Sequence, residues 1–195
     1  EFGVKGIAYN SDFYFGKVKH DREGDDIRFL TKGLAWALIQ EVQIISISMG
    51  FTHDTPELKE IIKKLFEQDV LIVCAAGNKD EISDDQVMFP ARYDETLSVG
   101  GIKRNLKPLN NTIDPKNTDL FAPGHNILST YLDKGYEALS GSSQACPYVA
   151  AVAGLLLQKN GVGNIRPSAM KEMLIDSARN SSFGKIIHPR AIIES

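Results

Sequence analysis

Three segments of this 195-residue chain set small and polar residues at the ends of apolar stretches: Ser48-Met49-Gly50, Ala75-Ala76-Gly77-Asn78 and Gly141-Ser142-Ser143-Gln144-Ala145-Cys146-Pro147. The third carries the most chemical information. Residues 149–157 are apolar or small throughout, as in a helix with no polar face that runs through the middle of a structure. Ser143 stands where that helix begins. Unpaired N–H groups and the positive end of the helix dipole there favour negative charge developing on a nearby oxygen. On local sequence alone an N-cap is the plainer reading of the same serine. Gly141 permits a close backbone approach, and Pro147 is expected in the first turn, where N–H groups lack partners anyway. Asn78 reads locally as half of a Gly-Asn turn pair.

These segments need elements to position them. Residues 13–18, aromatic and β-branched between turn-prone neighbours, predict a strand. From Leu30 the stripe Gly33, Leu34, Ala37, Leu38 has the period of a helix with one buried face. Residues 42–49 predict a strand buried on both faces. Thr55 and Pro56 cap and open a helix whose apolar face is Leu58, Ile61, Ile62, Leu65 and Phe66. Residues 70–76 and 96–99 predict further buried strands, the latter ended by Gly100-Gly101. Residues 103–139 read as loop with short strands around Phe121 and at 127–131. A helix from Gly141 to about Gln158 follows, and Pro167 opens a last helix with Met170, Met173, Leu174 and Ala178 on one side. Strands alternating with helices predict an α/β domain with a mostly parallel sheet, which binds ligands at the carboxyl ends of its strands.

Composition narrows the function. Lys and Arg total 22 against 25 Asp and Glu, a net charge of -3, which provides no general attraction to nucleic acid or anionic lipid. No apolar run approaches the roughly 20 residues of a membrane span. With 43% hydrophobic and 24% charged residues, wholesale disorder is excluded. Cys74 and Cys146 sit in apolar or small-residue settings and read as buried free thiols. There is no C-x-x-C and no H-E-x-x-H. The chain opens Glu1-Phe2-Gly3 rather than with Met, as a processed product or a piece of a longer protein would.

Taken together and in order, the segments resemble the subtilisin-like serine proteases over nearly the whole chain. The family's G-T-S-x-A-x-P is matched by Gly141, Ser143, Ala145 and Pro147, with Ser142 in place of Thr. Its A-A-G-N is matched by Ala75-Ala76-Gly77-Asn78 and its S-x-G by Ser48-Met49-Gly50. Weaker echoes are Gly3-Val4-Lys5-Gly6-Ile7-Ala8, Phe89-Pro90-Ala91-Arg92-Tyr93 and Ala122-Pro123-Gly124. The resemblance implies a three-layer α/β fold with a mostly parallel sheet, residues 1–195 forming a partial catalytic domain without the N-terminal part of the sheet. It also implies a serine endopeptidase working through an acyl-enzyme on a peptide or protein substrate. Ser143 would be the nucleophile, and Asn78 would donate its amide to the oxyanion beside the Ser143 N–H. Ser48, Met49 and Gly50 would pair with the substrate backbone, and with Ala75, Ala76 and Gly77 would wall the pocket for the side chain before the scissile bond.

One departure matters most. In the family a His in H-G-x-H activates the serine and an Asp in a strand-ending D-x-G orients it; neither motif stands here in the family's place. His20, His53, His125 and His188 lie in unrelated contexts and read as solvated loop histidines. The expectation is an N-terminal segment carrying Asp and His, in cis or as a separate chain, without which this chain has no triad activity and leaves a raw strand edge. The alternative is a non-catalytic relative that binds peptides in the cleft. Tyr148 replaces a His that commonly follows the motif's Pro. The charges Asp21, Arg22, Glu23, Asp25 and Asp26 occupy a loop expected to line the far end of the cleft and to favour basic or polar substrate residues. Family members often bind Ca²⁺. Here no metal is expected on side chains of the chain, and backbone carbonyls near Ala91 and Tyr93 would form at most a secondary site.

Overall fold

The computed structural model describes residues 3–19, 26–80 and 85–193. Asp26 caps α1 (Ile27–Ile39) by accepting from the Arg28 N–H at 2.8 Å, and the helix buries Ile27, Leu30, Leu34 and Ala37. β1 (Ile44–Ile47) leads to α2 (Pro56–Glu67), where the Thr55 hydroxyl accepts from the Leu58 N–H and Pro56 opens the first turn. β2 (Leu71–Ala75), β3 (Leu97–Ile102) and β4 (Leu120–Pro123) follow, then the hairpin β5 (Ile127–Thr130) and β6 (Tyr136–Leu139). α3 (Ser142–Asn160), α4 (Met170–Asp176), β7 (Arg179–Asn180), β8 (Lys185–Ile186) and α5 (Pro189–Ile193) complete the order.

β1, β2, β3, β4 and β8 lie side by side in parallel, with β7 antiparallel at the edge. Alternation along the strands divides the core into two layers. Val73, Ala75, Leu97, Val99 and Leu120 face Val149, Val152, Leu156, Met170 and Leu174 of α3 and α4. Ile47, Ile72 and Cys74 face Leu30, Leu34, Leu58, Ile62 and Leu65 of α1 and α2. The result is the three-layer α/β arrangement with a mostly parallel sheet that the sequence predicts.

Several expectations change. Residues 13–18 form no ladder among the described residues; Phe13, Tyr14 and Phe15 are exposed, with Phe13 and Phe15 stacked on each other. Aromatic and β-branched composition records a fit to a pleated surface and supplies no hydrogen-bonding neighbour. β1 is not buried on both faces: Ser46 is exposed, because β1 is the outer strand of the described sheet. Gly100 and Gly101 lie inside β3 rather than ending it. There a Cβ at Gly100 would come 2.5 Å from the Phe121 ring, and one at Gly101 within 3.2 Å of the Gly141 carbonyl. Phe66 and Met173 are exposed rather than in the apolar faces expected. The helix after Pro167 begins at Met170 and is not the last. His20, Asp21, Arg22, Glu23 and Asp25, with the loop they were expected to form, lie outside the described residues.

Candidate active site

α3 delivers Ser142 and Ser143 as its first two residues, and the strand ends of β1 and β2 meet it there. Pro147 is the sixth residue of α3, beyond the first turn in which it was expected. Its missing N–H strips a donor from the Ser143 carbonyl, the acceptor four residues earlier. The Ser48 hydroxyl donates to that carbonyl at 2.8 Å, and the Ser143 hydroxyl returns a bond to the Ser48 carbonyl at 3.3 Å. A proline in the helix and a serine past β1 thus form a two-way clasp around the candidate nucleophile.

A second clasp holds Asn78. The Ser142 N–H, one of the unpaired donors at the helix start, gives its hydrogen to Asn78 Oδ1 at 3.1 Å. The Ser142 hydroxyl in turn accepts from the Gly77 N–H at 3.2 Å. With Oδ1 so engaged, the amide presents Nδ2 as its donor, and a Cβ at Gly141 would stand 3.3 Å from that nitrogen. Asn78 and Ser142 are both buried. Ser142, which counts in the sequence only as a substituted motif position, is therefore the residue that ties the two candidate segments together. A hydroxyl directly beside the candidate nucleophile is the one sequence signal for it.

The remaining predicted residues divide between backbone and core. Ala75 packs into the α3 layer and Ala76 into the α1–α2 layer, and the Ala76 backbone is paired on both sides, its N–H with the Val99 carbonyl and its carbonyl with the Met88 N–H, each at 2.9 Å. The Met49 side chain packs on the α1–α2 layer as well. Residues 48–50 carry no ladder among the described residues, whereas Phe51 pairs antiparallel with Phe89. Gly77 has a positive φ of 103°, a conformation glycine adopts without a side-chain penalty.

No imidazole hydrogen-bonds to Ser143 among the described residues. His53 and His125 are exposed. His188 is not a solvated loop residue: half-buried at the start of α5, its Nδ1 accepts from the Ala191 N–H at 3.2 Å. Cys146 Sγ lies 3.3 Å from the Val73 carbonyl and 3.5 Å from that of Ile47, beneath the two strand ends. Both thiols are free. Burial pushes the Cys74 thiol well above its ordinary range and that of Cys146 up to about 11.

Of the carbonyls near Ala91 and Tyr93 that would form at most a secondary cation site, that of Tyr93 accepts from the Thr96 N–H at 3.1 Å and from the Thr96 hydroxyl at 2.9 Å. The Lys171 ammonium donates to the carbonyls of Asp94 at 2.7 Å and Thr96 at 2.6 Å. Among the described residues no group of three or more His, Cys, Asp or Glu could hold a metal.

A family model described as "Subtilase family" matches residues 1–189. The chain is 37% identical over 159 residues to the major intracellular serine protease of Bacillus subtilis, covering 79% of this chain and 49% of that protein. It is 29% identical over 179 residues to subtilisin DY of Bacillus licheniformis, covering 91% and 65%. Among solved structures, the prenylagaramide maturation protease PagA superposes with a TM-score of 0.80 at 26% identity, over 91% of this chain and 70% of that one. The self-cleaved protease domain of PatA gives 0.80 at 27% identity, over 89% and 69%. The chain spans about half the length of the curated intracellular relatives it matches, 49% in each of two cases. No helix among the described residues is long and apolar enough to cross a membrane.

Proposed function

The chain belongs to the subtilase family, and from that premise we propose that it is the nucleophile and oxyanion portion of a serine endopeptidase. The observation that carries the reading is the double clasp at the start of α3, which holds Ser143 to one strand end and Asn78 to the next. Ser143 Oγ attacks the scissile carbonyl carbon as its proton passes to a base. The tetrahedral oxyanion accepts from Asn78 Nδ2 and the Ser143 N–H, and the amine leaves with the proton the base returns. Water then cleaves the acyl-enzyme by the same route. The substrate backbone lies along residues 48–50, whose edge carries no ladder among the described residues, and the side chain before the scissile bond lies between Gly50 and Gly77.

The base and its orienting acid come from a segment carrying His and Asp, in cis or on a separate chain. In its absence the Ser143 hydroxyl rests on the Ser48 carbonyl, which accepts a hydrogen bond without removing the proton. The chain by itself is then inactive. Metal ions take no part through side chains of this chain. A fluorophosphonate tests the reading. It should label Ser143 stoichiometrically in the full-length protein, fail with Ser143→Ala, and leave the isolated 195-residue chain unlabelled. An unlabelled full-length protein that still binds peptides would instead identify a non-catalytic relative.

A further inference from the structure

We infer that Met88 is a specificity-determining residue that shortens the pocket between Gly50 and Gly77, so that the side chain accepted before the scissile bond is small. This rests on the reading of the cleft given above. The segment around Met88 is tied to both walls. The Met88 N–H donates to the Ala76 carbonyl at 2.9 Å, and Phe89 exchanges two backbone bonds with Phe51, at 2.8 and 2.9 Å. The side chain then enters the gap. A Cβ added at Gly77 would come 2.6 Å from Met88 Sδ and 2.8 Å from its Cγ. One added at Gly50 would come 2.7 Å from Met88 Cβ and 3.3 Å from its Sδ. The missing side chains of the two walls thus point at the same methionine, which is only 7% exposed.

Two glycines facing each other across a cleft would leave a deep slot for a long apolar or aromatic residue. Here the slot holds a methionine supplied by the protein. A Gly, Ala or Ser side chain fits above it, whereas Leu or Phe must displace a buried thioether whose backbone is pinned on both sides. Methionine is unbranched and can repack, so the limit acts as a graded preference.

The test uses the full-length protein and a series of peptide p-nitroanilides that differ only in the residue before the scissile bond: Ala, Leu or Phe. Wild type should cleave the Ala peptide best. Met88→Gly should raise kcat/KM for Phe relative to Ala by about 10²-fold, the scale on which apolar pockets discriminate. Met88→Ala should shift the ratio in the same direction by less, and serves if the glycine variant folds poorly. Met88→Leu, which conserves volume, should keep the wild-type order. Fluorophosphonate labelling of each variant separates the two levels of argument. Labelled enzymes whose Phe-to-Ala ratio stays constant, or a wild type that already prefers Phe, would overturn the role of Met88 alone. Loss of labelling in wild type would overturn the assignment of the nucleophile and this inference with it.

Discussion

Replacing Ser142 by Ala isolates the tie between the two candidate segments. The hydroxyl it removes is 1% exposed as part of its residue and accepts from the buried Gly77 N–H at 3.2 Å. The Ser142 N–H to Asn78 Oδ1 bond survives, because it belongs to the backbone. What is lost is the acceptor of one buried amide, and a buried donor left without a partner costs about 1–3 kcal/mol. At 1.4 kcal/mol per tenfold, hydrogen exchange at the Gly77 amide should accelerate by roughly 5–150-fold if the loss falls on local opening. The full-length protein should unfold several degrees lower. Activity should fall chiefly in kcat, since Gly77 directly precedes Asn78, the residue proposed to donate to the oxyanion. Ser142→Thr retains the oxygen and should restore the slow exchange of Gly77. Unchanged exchange at Gly77 in Ser142→Ala, with wild-type kcat, would refute the claim that this hydroxyl joins the helix to the loop.

Other consequences follow from the same geometry. Asn78→Ala should lower kcat by about 10²–10³ with little change in KM, measured by steady-state hydrolysis in the full-length protein. Gly124→Ala would bring a Cβ within 2.7 Å of the Gly141 carbonyl and 3.0 Å of the Gly101 Cα. Both are backbone, so about 1–3 kcal/mol of stability should be lost, read from the denaturant midpoint. Lys171→Met deprives the Asp94 and Thr96 carbonyls of their ammonium and should cost about 1.5–3 kcal/mol by the same assay. The Cys146 thiol is held above its ordinary value of 9.0, at about 11, by burial. The folded state favours the neutral thiol, so the stability it contributes is present below pH 9 and is lost as pH rises from 9 towards 11. Iodoacetamide should therefore spare Cys146 in the native protein at neutral pH, and Cys146→Ala should flatten the decline of the urea midpoint across that alkaline window.

The residue order alone determined the class of fold, the stripe of α1, the helix α2 with its cap, the buried strand β2, and which serine and asparagine stand at the start of α3 and just past β2. Those features are written in local periodicity and in short motifs, because burial on one face of a helix recurs every three to four residues and alternates along a strand. The aromatic run at 13–18 misled for the same reason, since a strand needs a neighbour that composition does not supply. The short strands β6, β7 and β8 were illegible: two to four residues carry too little pattern.

What only the tertiary structure decided is how the pieces hold one another. Ser48 lies 95 positions from Ser143, yet its hydroxyl answers the acceptor that Pro147 leaves open. Gly77 lies 65 positions from Ser142. Met88 reaches two glycines on different segments and occupies the space between them. The two serine contacts depend on backbone groups left unpaired at element ends and the methionine contact on two absent side chains, and which distant residue meets them is set by how the layers pack.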